Sequence, residues 1–176
     1  MGSLILVKIF NKLYLSVCFM LTKLIIPKAR LIRFPIWVSG SGVLNGLSDL
    51  TTGRGLRIDL HDKSVITIGD SVEINDYCQI SAANSIVIGS NCLIASRVFI
   101  TDHDHVFDGV NPPQKKEIKA TETIIEDNVW IGNGVSVLKG SLIPAGSVIA
   151  ANSTVNKKLG KPGIYAGSPV KLIREF

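Results

Sequence analysis

The chain is poor in aromatic residues, 6% of 176, and has only 3 histidines, 3 cysteines and 2 methionines. Cys18, Cys78 and Cys92 are odd in number and lack paired-ligand spacing. That excludes a disulfide framework and a zinc knuckle, and reads as buried thiols in a reducing compartment. The longest uncharged stretch of the apolar N-terminus, Leu13 to Thr22, is too short to cross a bilayer, which takes about 20 residues. No small-residue cleavage site follows it, which argues against a signal peptide. No acidic residue precedes Asp49, although Lys8, Lys12, Lys23, Lys28, Arg30 and Arg33 do. A second basic cluster, Lys157, Lys158, Lys161, Lys171 and Arg174, lies near the other end of a chain with net charge +5. With no recognised nucleic-acid module and no interleaving of aromatic and basic residues, nucleic acid is not the expected partner. An anionic membrane face and a phosphorylated cofactor suit the two clusters better.

What the chain does have is an aliphatic residue on every sixth position. Ile68, Ile74 and Ile80 form one run, Ile88, Ile94 and Ile100 a second, and Ile125, Ile131, Val137, Ile143, Ile149 and Val155 a third. This period belongs neither to a helix nor to an ordinary strand. It is that of a coiled parallel β-solenoid in which each hexad is one short strand and one turn, so that three hexads close a triangular coil of about 18 residues. The aliphatic points into the prism, and each coil buries its core only by stacking on a neighbour. A narrow interior of branched aliphatics explains the shortage of aromatics. Small or turn-forming residues follow the aliphatic (Gly69, Asn75, Ser81, Gly89, Ala95, Thr101, Gly132, Ala150) and are expected to turn the corners, with φ > 0 where needed.

The repeat is broken twice. A step of eight from Ile80 to Ile88 is a two-residue corner insertion, and a step of 25 from Ile100 to Ile125 sends about 19 residues, near 102–120, out of the prism as a loop. At 176 residues with 46% apolar side chains the chain is one domain with a substantial core. It reads as a basic amphipathic segment over 1–35, a solenoid over 36–165 and a tail over 166–176. In the first segment Lys8, Lys12, Ser16 and Lys23 fall on one side of a helix and leave a wide apolar face. Such a helix lies in a membrane interface with its lysines at the headgroups, or caps the open end of the prism, or does both.

Two of the three histidines stand together in Asp102-His103-Asp104-His105, where the loop leaves the prism. In an extended segment His103 and His105 share one side and the aspartates the other. A histidine beside a carboxylate is a candidate general base, because the carboxylate fixes the tautomer and supports the imidazolium. His-x-His is also compatible with zinc, but His61 is the only further histidine and no cysteine lies nearby, so no metal is expected. Neither cysteine nor serine stands beside the pair as a covalent nucleophile. No covalent enzyme intermediate is therefore expected.

Several segments carry a family likeness: Ile74-Asn75-Asp76-Tyr77, Ile88-Gly89 to Ile94-Ala95, the Thr-Asp-His-Asp-His loop, Val129-Trp130-Ile131-Gly132, Ala166-Gly167-Ser168-Pro169-Val170-Lys171, and Arg33-Phe34-Pro35 after the basic segment. Over about residues 36–176 the chain resembles the hexapeptide-repeat, left-handed β-helix acyltransferases, most of all the bacterial O-antigen and colanic-acid type sugar O-acetyltransferases. The resemblance implies an all-β, left-handed parallel β-helix and a homotrimer with acetyl-CoA between neighbouring subunits. It implies His105 as the catalytic histidine with His103 as the alternate, and Asn75 as the group that orients base and sugar hydroxyl. Asp76 and Asp104 are candidate acceptor contacts. For the cofactor it implies Trp130 as an aromatic wall, Gly132, Asn133 and Ala151 along the pantetheine arm, and Asn156 and Lys157 near the nucleotide, where the family has Thr-Lys. Lys157, Lys161 and Arg174 are natural phosphate partners.

The expected activity is acetyl transfer from acetyl-CoA to a sugar hydroxyl in surface polysaccharide biosynthesis. The acceptor is free, nucleotide-linked or lipid-linked, and the protein is cytoplasmic and peripheral at the inner face of a bacterial membrane. N-acetylation of a nucleotide-linked amino sugar is the alternative. A zinc-dependent, carbonic-anhydrase-like solenoid would need three converging histidines.

Overall fold

The structure, a computed structural model, describes residues 2–107, 109–110 and 117–176, with side chains from residue 6 onward. The middle of the expected loop, Asp108 and residues 111–116, lies outside the described residues. Helix α1, Gly2–Ile25, precedes a parallel β-helix whose short strands stack into three faces. Face A begins with Leu31–Ile32, Thr51–Thr52 and Glu73–Ile74, and passes through Leu93–Ile94, Trp130–Ile131 and Val148–Ile149 to Gly163–Gly167. Face B runs from Trp37–Gly40 through Arg57–Leu60, Gln79–Ala82, Phe99–Thr101 and Ser136–Val137 to Thr154–Val155. Face C holds Val43–Gly46, Val65–Ile68, Ser85–Ile88, Thr123–Ile125 and Leu142–Ile143.

Every aliphatic of the six-residue pattern is inside, none exposing more than 1% of its surface. The residue two places earlier also points inward: Val72, Cys78, Cys92, Val98, Val129, Val135, Ser141, Ser147 and Ser153 are all buried. This is the two-residue alternation of a strand inside the six-residue repeat. The three cysteines are buried free thiols, and two of them occupy these small inward slots.

The register shows where the period fails. In the C-terminal coils Trp130 pairs with Val148, a step of 18, whereas Leu31 pairs with Thr51, Thr51 with Glu73 and Glu73 with Leu93, steps of 20, 22 and 20. The longer coils have four-residue strands on faces B and C, so the six-residue spacing is lost before Ile68 although the coil is already running at Leu31.

The corners also differ from expectation. Positive φ falls on the third residue after the aliphatic, not the first: Ser71, Tyr77, Asn91, Arg97, Asn128, Gly134, Gly140, Gly146 and Asn152. The residue directly after the aliphatic is small for a different reason. A Cβ on Gly69 would sit 2.6 Å from the Ser90 amide of the next coil, so the close approach of stacked backbones excludes it.

Both ends of the prism are covered. At the first coil α1 turns Tyr14, Cys18 and Thr22 inward at helical spacing. The Thr22 hydroxyl donates to the Cys18 carbonyl at 2.7 Å and accepts the Ile32 amide at 2.8 Å, and the Tyr14 hydroxyl donates to the Phe34 carbonyl. At the other end Val170–Glu175 folds back antiparallel on Gly163–Gly167.

Replacing Ile94 by Ala should cost about 2–5 kcal/mol, read from chemical denaturation. Gly69→Ala should destabilise more than Gly146→Ala. The latter has open space for a Cβ and loses only its freedom at φ 72°, about 1 kcal/mol. The reverse order would refute the stacking argument.

Candidate active site

Thr101 ends a face B strand, and the chain then leaves the prism through a bend at Asp102. The loop opens as an antiparallel ladder in which His103 faces Ala120, Asp104 faces Lys119 and His105 faces Ile118. Asp102 is fully buried, and its carboxylate accepts the amides of Ala83 at 2.8 Å and Asn84 at 2.7 Å. The same carboxylate lies 2.9 Å from Nδ1 of His103, with the Thr101 hydroxyl at 3.2 Å from that nitrogen. Simple alternation would have put Asp102 on the far side of the strand from His103. The bend turns it toward the ring instead. A carboxylate on Nδ1 selects the tautomer protonated there and leaves Nε2 as the basic nitrogen.

The His103 side chain is 12% exposed and packs edge-on against His61, ring centroids 4.9 Å apart. His105 stands exposed on the outer part of the ladder, and Asp104 pairs with Lys139 at 2.7 Å. Sequence reasoning did not bring His61 to this place. It precedes the coils in which the six-residue spacing is visible, and only the 22-residue pairing of Arg57 with Gln79 brings it under the loop. Among the described residues no three His, Cys, Asp or Glu side chains converge as a metal cage.

The other expected residues occupy a different edge. After each face A strand the chain turns toward face B, and the register stacks Gly53, Asn75, Ala95, Gly132 and Ala150 in one column, with Arg54, Asp76, Ser96, Asn133 and Ala151 beside them. Trp130, half exposed, flanks this column on the outer side of face A. Gly132 contributes clearance rather than a donor: its amide is committed to the Ile149 carbonyl at 2.8 Å, and a Cβ would meet the Ala151 amide at 2.6 Å. Asn75 is exposed beside Asp76, which accepts the Arg54 amide at 2.7 Å. Both line a cavity of about 370 Å³ with Asn11, Tyr14 and Leu15 of α1, Arg33 and Arg54.

Thus Asn75, Asp76, Trp130, Gly132, Asn133 and Ala151 share the A/B edge, while His103, Asp104 and His105 leave from the B/C edge. Asn156 and Lys157 also lie at the B/C edge, after the last face B strand. The width of face B, several residues at about 3.3 Å each, separates the two sets by roughly 15 Å within one chain. Lys157 opens onto a depression of about 460 Å³ with Lys158 and Lys161. Lys161 is already paired with Glu175, and Arg174 lies 6.0 Å from the centre of the Phe176 ring. Burial pushes the Cys78 thiol up to about 11 and raises that of Cys92, so neither is a nucleophile at neutral pH.

Residues 122–157 match the family model described as bacterial transferase hexapeptide (six repeats). A protein of Escherichia coli (strain K12) named for lipopolysaccharide biosynthesis O-acetyl transfer, WbbJ, is 36% identical over 165 residues, covering 89% of this chain and 84% of the relative. Two solved structures share the coil. A maltose O-acetyltransferase from Clostridium difficile 630 is 27% identical with a TM-score of 0.63, covering 78% of this chain and 68% of that one. The acetyltransferase VCA0836 from Vibrio cholerae O1 biovar eltor, solved with acetyl coenzyme A, is 26% identical with a TM-score of 0.57, covering 84% and 68%. Matched along nearly its whole length by WbbJ and built on the same stacked coil, this chain belongs to the hexapeptide-repeat acyltransferases.

Proposed function

We propose that the protein transfers an acetyl group from acetyl-CoA to a sugar hydroxyl in surface polysaccharide biosynthesis. The observation that carries this reading is the division of the site between two edges. Imidazoles project from the B/C edge, while an open backbone column with Trp130 runs down the A/B edge. The likeness to WbbJ, named for lipopolysaccharide O-acetyl transfer, supports the substrate class. Acetyl-CoA supplies an activated acetyl thioester. Trp130, Gly132, Asn133 and Ala151 of one copy would hold its arm, and Lys157 of a neighbouring copy, with the depression beside it, its phosphates.

His105 takes the proton from the acceptor hydroxyl. It is the exposed imidazole and can reach a hydroxyl bound elsewhere, whereas His103 is engaged by Asp102, Thr101 and His61. The Asp102–His103 pair favours a second reading, in which Nε2 of His103 is the base. Since one chain keeps Asn75 and Trp130 roughly 15 Å from the imidazoles, a second copy must bring its A/B edge to the hairpin. A homotrimer with three such interfaces meets that need.

His105→Ala should lower acetyl transfer about 100-fold or more with CoA affinity unchanged, the scale of a lost general base, and His103→Ala should do less. The reverse order in steady-state kinetics would move the role to His103. Mixing His105→Ala chains with Ala151→Trp chains, each inactive alone, should restore activity in reassembled mixed oligomers. Mixed oligomers without activity would refute the shared site.

The outer face of α1 supports peripheral attachment to an anionic membrane. Leu6, Phe10, Leu13, Val17, Met20 and Leu24 are all exposed, at alternating steps of four and three, while Lys8, Lys12 and Lys23 line another side. Among the described residues no helix is long and apolar enough to cross a membrane. Phe10→Glu with Leu24→Glu should abolish sedimentation with anionic vesicles and leave circular dichroism unchanged. Vesicle binding that survives both changes would reduce α1 to a cap.

A further inference from the structure

The cavity under α1 has an uncompensated charge. Arg30, close by, is matched by Glu73 at 2.6 Å and Asp49 at 4.0 Å. Among the described residues neither Arg33 nor Arg54 has a carboxylate within ion-pair distance, yet both line the same cavity. The Arg33 guanidinium donates to the Thr52 carbonyl at 3.1 Å, and that of Arg54 lies 6.0 Å from the centre of the Tyr14 ring. Tyr14 adds no negative charge. Burial and the neighbouring Cys18 push its phenol up to about 12, against the opposing pull of Arg54 and Arg33. Among the described residues Asp76 is the one acid in the lining, and it is turned to the Arg54 amide. Two guanidiniums against one carboxylate, in a cavity of about 370 Å³, make a site for an anion.

An anion held there would lie apart from the proposed CoA site. Arg54 and Ala151 stand in one column four coils apart, roughly 19 Å at the usual strand spacing, and Lys157 is at the opposite end of the prism from α1. Asn75, in the same cavity, ties the anion to the acceptor. The wall is the helix itself: Asn11 and Leu15 belong to α1, Lys8 and Lys12 lie one turn before them, and the exposed apolar face runs along the same helix.

Deepening the acetyl-transfer reading, and resting on it for the word acceptor, we propose that the acceptor sugar carries a diphosphate bound by Arg33 and Arg54 beneath α1, and that this diphosphate belongs to a membrane-borne lipid carrier whose chain lies in the bilayer against the helix. The phosphate would dock where the lysines meet the headgroups, and the sugar would extend to Asn75. A nucleotide-linked sugar would offer the same diphosphate without a lipid, and the test separates the two.

Inorganic diphosphate, farnesyl diphosphate in nanodiscs and uridine diphosphate are titrated separately into the full-length protein, with binding read by calorimetry in the absence of acetyl-CoA. Farnesyl diphosphate should bind at least tenfold more tightly than the other two. Arg33→Gln with Arg54→Gln should weaken it at least tenfold while CoA affinity is unchanged. Asn11→Glu, an exposed change on the helix side of the cavity, should produce the same loss with the fold intact. The proposal is overturned if the arginine changes leave diphosphate binding untouched, or if CoA affinity falls in parallel. Uridine diphosphate binding as tightly as farnesyl diphosphate would overturn the lipid carrier. None of these readouts uses acetyl transfer, so a wrong choice of base or of reaction would leave them unaffected.

Discussion

Stacking of one coil on the next is the interaction on which everything else here depends. A single coil places two or three aliphatics per face inside a triangle too narrow to shield them, and only the coils above and below complete the burial. Nothing wider than a branched aliphatic fits repeatedly, which is why Ile and Val fill the interior and Trp130 and Tyr77 stand outside. The same narrowness leaves no room for a cleft within a coil. Chemistry is confined to edges and to segments that leave the prism, and the two sets of candidate residues lie on different edges because each edge is a straight column fixed by the register.

Stacking has no natural end, so the termini of the prism must be closed by something other than another coil. The C-terminal strand pair does this with backbone hydrogen bonds. Helix α1 does it with a narrow stripe, Tyr14, Cys18 and Thr22, and leaves most of its circumference free. A helix chosen only to cap would need no exposed Phe10, Leu13, Met20 and Leu24. Of the expected alternatives the structure shows the cap: one stripe of α1 closes the core, a neighbouring strip walls the cavity at Asn75, and the remainder presents apolar surface, on which the proposed membrane contact rests.

The inward positions were legible because their period is set by geometry that the side chains must obey. All the aliphatics spaced by six are buried, and the step of 25 marked the departure of the loop. What was not legible came from places where the backbone, not the side chain, sets the rule. The coils before Ile68 lengthen to 20 and 22 residues, so the solenoid expected from residue 36 has no readable six-residue register there, and neither the strand at Leu31–Ile32 nor the approach of His61 to His103 is legible. The positive φ positions were assigned to the wrong residue of the hexad, since small side chains also mark close stacking and the sequence does not separate the two causes. Alternation along an extended strand placed Asp102 away from His103. It failed because the buried carboxylate is held by the amides of Ala83 and Asn84 at the point where the chain bends.

The distribution of charge suits the proposed direct transfer, which has no covalent intermediate. Cys78 and Cys92 are inside the prism, where burial raises their thiols, and Cys18 is buried on α1, so the exposed candidate bases are imidazoles. Both substrates must then be held at once, and their charged ends must not compete for one site. The two basic clusters stand at opposite ends of a prism whose coils are each about 4.8 Å thick. Among the described residues Lys157 and Lys158 have no ion-pair partner at one end, where Lys161 is taken by Glu175, and Arg33 and Arg54 have none at the other, where Arg30 is taken by Glu73. Each end thus neutralises part of its own charge and leaves a pair of cations for a ligand. The imidazole hairpin departs between these ends, from the fourth of the six face B strands, at the level where a thioester and a sugar held along the A/B edge of a neighbouring copy would meet it in the proposed shared site.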